Sequence, residues 1–69
     1  MHDDLMYEAY VNVGATGEEF AEAIKWVIDG GLHETAATHL NRMPPEHHYW
    51  EAIVDEIGDA TLLMIGVDI

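Results

Sequence analysis

Between Pro44 and Asp59 lies the segment whose conformation is most tightly prescribed, opened by two prolines and closed by a glycine. Pro45 suits the first position of a helix and pushes Pro44 into an extended conformation, so a helix is expected to start there. Gly58 readily takes the left-handed conformation past a helix end and marks the stop. At about 100° per residue, Trp50, Ile53, Val54 and Ile57 fall on one side of helix 45–58. Glu51, Asp55 and Asp59 fall on the other at i, i+4, i+8, with His48 at their head and Glu56 beside them. Such carboxylates repel by a few tenths of a kcal/mol per i,i+4 pair when no basic neighbour intervenes. The apolar face explains folding; the acidic face needs another reason.

A second acid-faced helix is expected upstream. Thr16 and Glu19 have the spacing of a capping box, and the helix they open runs to about Asp29, where Gly30 and Gly31 stop it. Phe20, Ala23, Ile24, Val27 and Ile28 form its buried stripe. Glu18, Glu22, Lys25 and Asp29 form the opposite one, and Trp26 lies at the flank, half exposed. Residues 32–43 read better as a short helix, with Leu32, Ala36, Leu40 and Met43 aligned, than as a strand.

The ends of the chain read as strands. In residues 5–13, Leu5, Tyr7, Ala9, Val11 and Val13 alternate onto one face and Met6, Glu8, Tyr10 and Asn12 onto the other, with Gly14 and Ala15 closing the run. Residues 61–69 are almost continuously apolar, the pattern of a strand covered on both faces. Residues 1–4 read as a frayed acidic tail. The expected architecture is a single α/β (α+β) domain over residues 1–69 in two layers. Its order is strand, helix, short helix or strand, helix, strand, with the helices packed on one face of a small sheet. A single helical layer leaves Met6, Tyr10, Leu62 and Met64 as an apolar patch on the far face, a candidate surface for weak homodimer formation.

Charge decides which functions are excluded. Against 14 acidic residues stand only Lys25 and Arg42, for a net charge of −12. Direct nucleic-acid binding through phosphates needs a basic surface, and so does docking on anionic lipid. A basic protein partner, reached by electrostatic steering, is what the charge favours. The chain has no cysteine, which suits a reducing cytoplasm, and its opening residues lack the basic character of a signal peptide. No apolar run approaches the ~20 residues of a membrane span.

Catalytic and metal chemistry find little support. His47 and His48 are adjacent and would diverge on a helix, and His33 and His39 are six apart, which fits no chelating pair. Serine and cysteine are absent, Thr16 is used as a cap, and the glycines make no phosphate loop. No catalytic residue, metal ligand or cofactor is expected. Trp26 and Tyr49, off the apolar stripes, are the candidate aromatic anchors, while Tyr7 and Trp50 are assigned to the core.

One acidic row places a charge every ~6 Å along a helix, against one per ~1.7 Å of duplex DNA axis. Two rows side by side come nearer to one strand's phosphates, which allows partial mimicry of a nucleic-acid backbone. A tiny, cysteine-free, strongly acidic domain with short strands and two acid-faced helices resembles phage-borne inhibitors of bacterial defence, in particular anti-CRISPR proteins against type I complexes. The resemblance lies in the character of the whole chain and supplies no site residue. It implies an inhibitor in the cytoplasm of a bacterial host that blocks nucleic-acid engagement by a basic, nucleic-acid-binding subunit of a defence complex. The partner-binding set read from the stripes and anchors is Glu18, Glu22, Trp26, Asp29, Tyr49, Glu51, Asp55, Glu56 and Asp59. The competing expectation is a small acidic structural or regulatory dimer whose charge serves solubility or growth in high salt.

Overall fold

The computed structural model describes residues 5–68, and among them it contains five α-helices and no strand. They are α1 (Met6–Asn12), α2 (Gly17–Asp29), α3 (His33–Arg42), α4 (Tyr49–Ile57) and α5 (Asp59–Ile65). The α/β expectation is overturned, because both expected strands are helices and no sheet exists among the described residues. The expected tail, residues 1–4, and Ile69 lie outside them.

The reason is local. In α1 the half-buried residues are Met6, Tyr7 and Tyr10, which share a helical face at i, i+1 and i+4, whereas Ala9, Val11 and Val13 of the apparent alternation are exposed. In α5 Leu62 is buried and Ile65 half-buried at i, i+3, while Leu63 and Met64 face solvent. The apolar run is therefore one short helix with a wet side, not a strand covered twice. Both helices end alike. Gly14 has φ +76° and Gly66 φ +101°, the left-handed region that glycine enters without Cβ strain. Their N–H groups donate to Val11 and Leu63, and the next residues, Ala15 and Val67, donate back to Tyr10 and Leu62 at 2.9 Å. This is the doubly bonded Schellman stop, which satisfies the last carbonyls of a helix.

The middle of the chain follows its sequence closely. Thr16 caps α2 with the full reciprocal box: its Oγ1 accepts from the Glu19 N–H at 3.2 Å, and Glu19 Oε1 accepts from the Thr16 N–H at 2.8 Å. Segment 32–43 is helical over His33–Arg42, with Ala36, Ala37 and Leu40 buried in it and Met43 buried just past its end. Helix α4 differs at its start. Residues 45–48 make a turn, with the His47 N–H on the Pro44 carbonyl, and the helix begins at Tyr49 rather than at Pro45. His47 Nδ1 accepts the Tyr49 N–H at 3.2 Å and so satisfies one of the free donors at the start of the helix.

The core is built around the meeting of α2 and α4. Phe20 and Tyr49 stack with ring centroids 5.1 Å apart, and Ile24, Leu40, Ile53 and Leu62 close around them without solvent exposure. Gly17 permits the contact, since a Cβ there would meet the Ala52 Cβ at 3.2 Å and the Tyr49 Cα at 3.5 Å. The Tyr49 hydroxyl donates to the Ala15 carbonyl at 2.7 Å, tying α4 to the connection between α1 and α2. Helix α1 buries no residue fully. It is held by the edge of Tyr10 on Phe20 at 5.4 Å, the edge of Tyr7 on His47 at 5.3 Å, and a Met6 N–H to His39 Nδ1 bond at 3.2 Å. At the far end Asn41 clasps the chain after α5, donating to the Gly66 carbonyl and accepting from the Asp68 N–H.

Two substitutions test this junction by urea unfolding. Gly17→Val forces bulk between α2 and Ala52 and should cost about 1–3 kcal/mol through overpacking. Tyr49→Phe keeps the stack but strands the Ala15 carbonyl, at an expected cost of about 1–3 kcal/mol. Unchanged midpoints in both would mean that the α2–α4 contact does not govern stability.

Candidate functional site

The packing of α2 on α4 also decides which acidic residues meet. On α4 the buried residues Tyr49 and Ile53 share a stripe with Ala52, and Glu56 stands at i+7 from Tyr49 on that same side. Glu56 is therefore carried toward α2. There it lines a cleft of about 340 Å³ together with Thr16, Glu18, Glu19 and Glu22. Glu18 and Glu22 are i,i+4 neighbours on α2, and Glu19 is held in place by its bond to the Thr16 N–H. No lysine or arginine lines the cleft.

The remaining sequence-derived residues separate. Glu51 and Asp55 are exposed on α4 but do not line the cleft, because they point away from its Tyr49 side. Asp29 is exposed at the end of α2. Asp59 does not continue the α4 row; the chain breaks at Gly58, and Asp59 opens α5. Tyr49 is corrected outright: at 1 % exposure it is a core residue and cannot anchor a partner. Its neighbour Trp50, assigned to the core, packs against it half-buried and donates its Nε1–H to the Pro44 carbonyl at 2.8 Å. The stacking of Tyr49 on Phe20 sets which face of α4 is buried, so that Tyr49 is enclosed and Trp50 packs at the edge of the core. Trp26 is 78 % exposed, more than the half expected, and lines a groove between α1 and α2. The apolar patch assigned to a far sheet face dissolves, since Leu62 is fully buried while Met64 is in solvent.

Chemically the cleft is an acceptor site. Several carboxylates open to water on neighbouring helices can receive a guanidinium in bidentate fashion or an ammonium as a point charge. Among the described residues no three acidic or histidine side chains come close enough together to hold a metal ion. His39 and His47 serve structure, each accepting a backbone N–H at its Nδ1. His47 and His48 sit in the turn, not on a helix as expected, and their rings stack at 4.8 Å instead of diverging. Burial lowers the pKa of His47 below its ordinary 6.5, and the adjacent His48 lowers it further. Burial raises the Tyr49 phenol above its usual 10.0, and the Glu19 carboxylate adds to the rise. Among the described residues no helix is long and apolar enough to cross a membrane.

The histidine shift has a definite sign. A folded pKa below the unfolded one means that the unfolded chain takes up the proton first, so the stability tied to neutral His47 is complete above about pH 6.5 and is lost as pH falls through the folded value. Protonation at Nδ1 also removes the acceptor of the Tyr49 N–H. His47→Asn keeps an acceptor but cannot titrate. Its unfolding free energy should fall less than that of the natural chain between about pH 7 and 5, and equal slopes would rule out the linkage to His47. Tyr49 acts in the opposite direction, its contribution present below about pH 10 and lost as the pH rises past it.

Compared with known proteins, the chain matches no family model, no curated protein and no solved structure at a significant level.

Proposed function

We propose that this chain is a non-catalytic inhibitor that occupies a basic, nucleic-acid-binding surface of another protein, working in the cytoplasm of a bacterial host. The observation that carries the reading is the convergence of Glu18, Glu22 and Glu56, with Glu19, on one cleft of a chain whose net charge is −12. Charge that served solubility alone would be spread out, since neighbouring carboxylates repel. Here two helices bring theirs together with no cation between them. The two rows supply a run of anionic oxygens that a phosphate-binding groove lined by Lys and Arg can receive in place of a nucleic-acid backbone. The likeness to anti-CRISPR proteins in size and acidity supports a defence complex as the target; the short strands that were part of that likeness are absent from the described residues.

A second reading has its own observation. Leu63 and Met64, adjacent on α5, are 59 % and 82 % exposed, which favours a self-associating structural or regulatory module. Sedimentation at high protein concentration separates the two, because a stable dimer that captures nothing basic supports the second.

The test of inhibition is capture from bacterial lysate at low and high salt, followed by competition with the captured protein's nucleic acid. Glu18→Gln, Glu22→Gln and Glu56→Gln together keep the shape of the cleft and remove its charge. With each exposed ion pair contributing about 0.2–1 kcal/mol, the triple variant should weaken binding by roughly 3- to 150-fold. Glu51→Gln with Asp55→Gln should slow association while changing dissociation little, as expected of charges outside the contact. Binding that ignores both salt and the triple substitution would dispose of the proposal.

A further inference from the structure

Glu19 and Glu22 line two recesses at once. On one side is the acidic cleft; on the other is a groove of about 450 Å³ between α1 and α2, whose remaining lining is Met6, Tyr10, Ala23, Trp26 and Val27. On α2 the positions Glu19, Glu22, Ala23 and Trp26 follow i, i+3, i+4, i+7 and so form one stripe. Ala23 leaves a gap in that stripe between larger neighbours. Tyr10, fixed by its edge contact with Phe20, forms part of the opposite wall, and Met6 adds an unbranched thioether side chain that adapts to what it meets. Trp26 stands at the groove with 78 % of its surface in water, an unusual place for the side chain that contributes most to protein interfaces.

We infer that the groove between α1 and α2 receives an apolar side chain from a basic amphipathic segment of the partner, one in which lysine or arginine flanks the apolar residue. The choice of occupant follows from charge. An apolar residue seated beside Trp26 and Ala23 carries its sequence neighbours past Glu19 and Glu22, where a carboxylate side chain is repelled and a cationic one is paired. The indole face offers the same cation a second site of attraction. The inference rests on the reading that the partner is basic, and it adds a requirement that charge alone does not make. A uniformly cationic strip satisfies the acidic cleft and leaves the groove empty.

Three peptides of equal length serve as probes: alternating lysine and leucine clusters arranged to be amphipathic, lysine with glutamine, and leucine with glutamine. Binding is followed by titration calorimetry, and its location by the Trp26 indole and Met6 methyl resonances, with the Trp50 indole as internal reference. The lysine–leucine peptide should bind at least about tenfold more tightly than lysine–glutamine, in keeping with an aromatic anchor at an interface. It should shift Trp26 and Met6 and leave Trp50 in place. Trp26→Ala should remove most of that advantage, and so should Ala23→Met, which fills the groove without touching its charge. Circular dichroism checks that both variants stay folded. Equal affinity for the two lysine peptides, or an advantage that survives both variants, overturns the inference while leaving the basic-partner reading intact. Failure of both lysine peptides to bind at low salt removes that reading as well. A Trp26 shift that grows with protein concentration in the absence of peptide assigns the groove to a second copy of the chain, and the inference is then wrong.

Discussion

The stacked rings of Phe20 and Tyr49 are the contact on which everything else in this molecule hangs. A chain of 69 residues has little apolar surface to bury, and here the two largest fully buried side chains are spent on each other. Gly17 lets the helices come close enough for the stack, and the Tyr49 hydroxyl reaches through to the Ala15 carbonyl. The edge of Tyr10 then rests on Phe20, so α1 is placed by the same pair although it buries no residue fully. The acidic cleft and the groove beside it are by-products of this geometry. One lies where α4 carries Glu56 against α2, and the other where α1 leans on α2.

Such an arrangement has an electrostatic cost that the fold keeps small by leaving the carboxylates wet. Each i,i+4 repulsion on an exposed helix is a few tenths of a kcal/mol, whereas fully burying one large apolar side chain contributes about 1.5–3 kcal/mol. Glu18 and Glu22 can therefore be tolerated beside Glu56 so long as water reaches them. Acidic residues in the first turn of α2 recover part of the cost, since Glu18 and Glu19 lie at the positive end of the helix dipole and Glu19 also closes the cap.

How much of this could be read in advance depended on the length of each segment. Helix α2 has thirteen residues, a capping box and a glycine stop, and its bounds were legible to within a residue. Helices α1 and α5 have seven residues each, too few turns for a period of 3.6 to separate from a period of 2. Yet a signal was present. Gly14-Ala15, Gly31-Leu32 and Gly66-Val67 are three glycines each followed by an apolar residue, and in all three the second residue donates back to a carbonyl of the preceding helix. Since α2 visibly ended at Gly30 and Gly31, the same punctuation after Asn12 and Ile65 pointed to helices there too. The register error in α4 has a different origin. Pro45 has the chemistry of a helix start, but residues 45–48 form a turn, the His47 ring accepts the Tyr49 N–H, and the helix begins at Tyr49. The stack of Tyr49 on Phe20 sets the buried face of α4, leaves Trp50 at the edge of the core, and turns Glu56 rather than Glu51 and Asp55 toward α2.

Register, more than fold class, therefore governs the functional reading. Replacing a sheet by two short helices changes the architecture completely, yet it leaves α2 and its glutamates where a helix had been expected. A rotation of α4 by one residue changes far less of the backbone and far more of the surface. With Trp50 as the buried ring, Glu51 and Asp55 would be a self-sufficient row on a free face, apart from the glutamates of α2. With Tyr49 buried, Glu56 joins Glu18 and Glu22, and their shared neighbour Glu19 links the charged cleft to the groove at Trp26. Charge and an apolar recess then belong to one continuous surface. A partner that recognises such a surface must offer both kinds of side chain at one spacing, which selects more strongly than either charge or apolar contact alone.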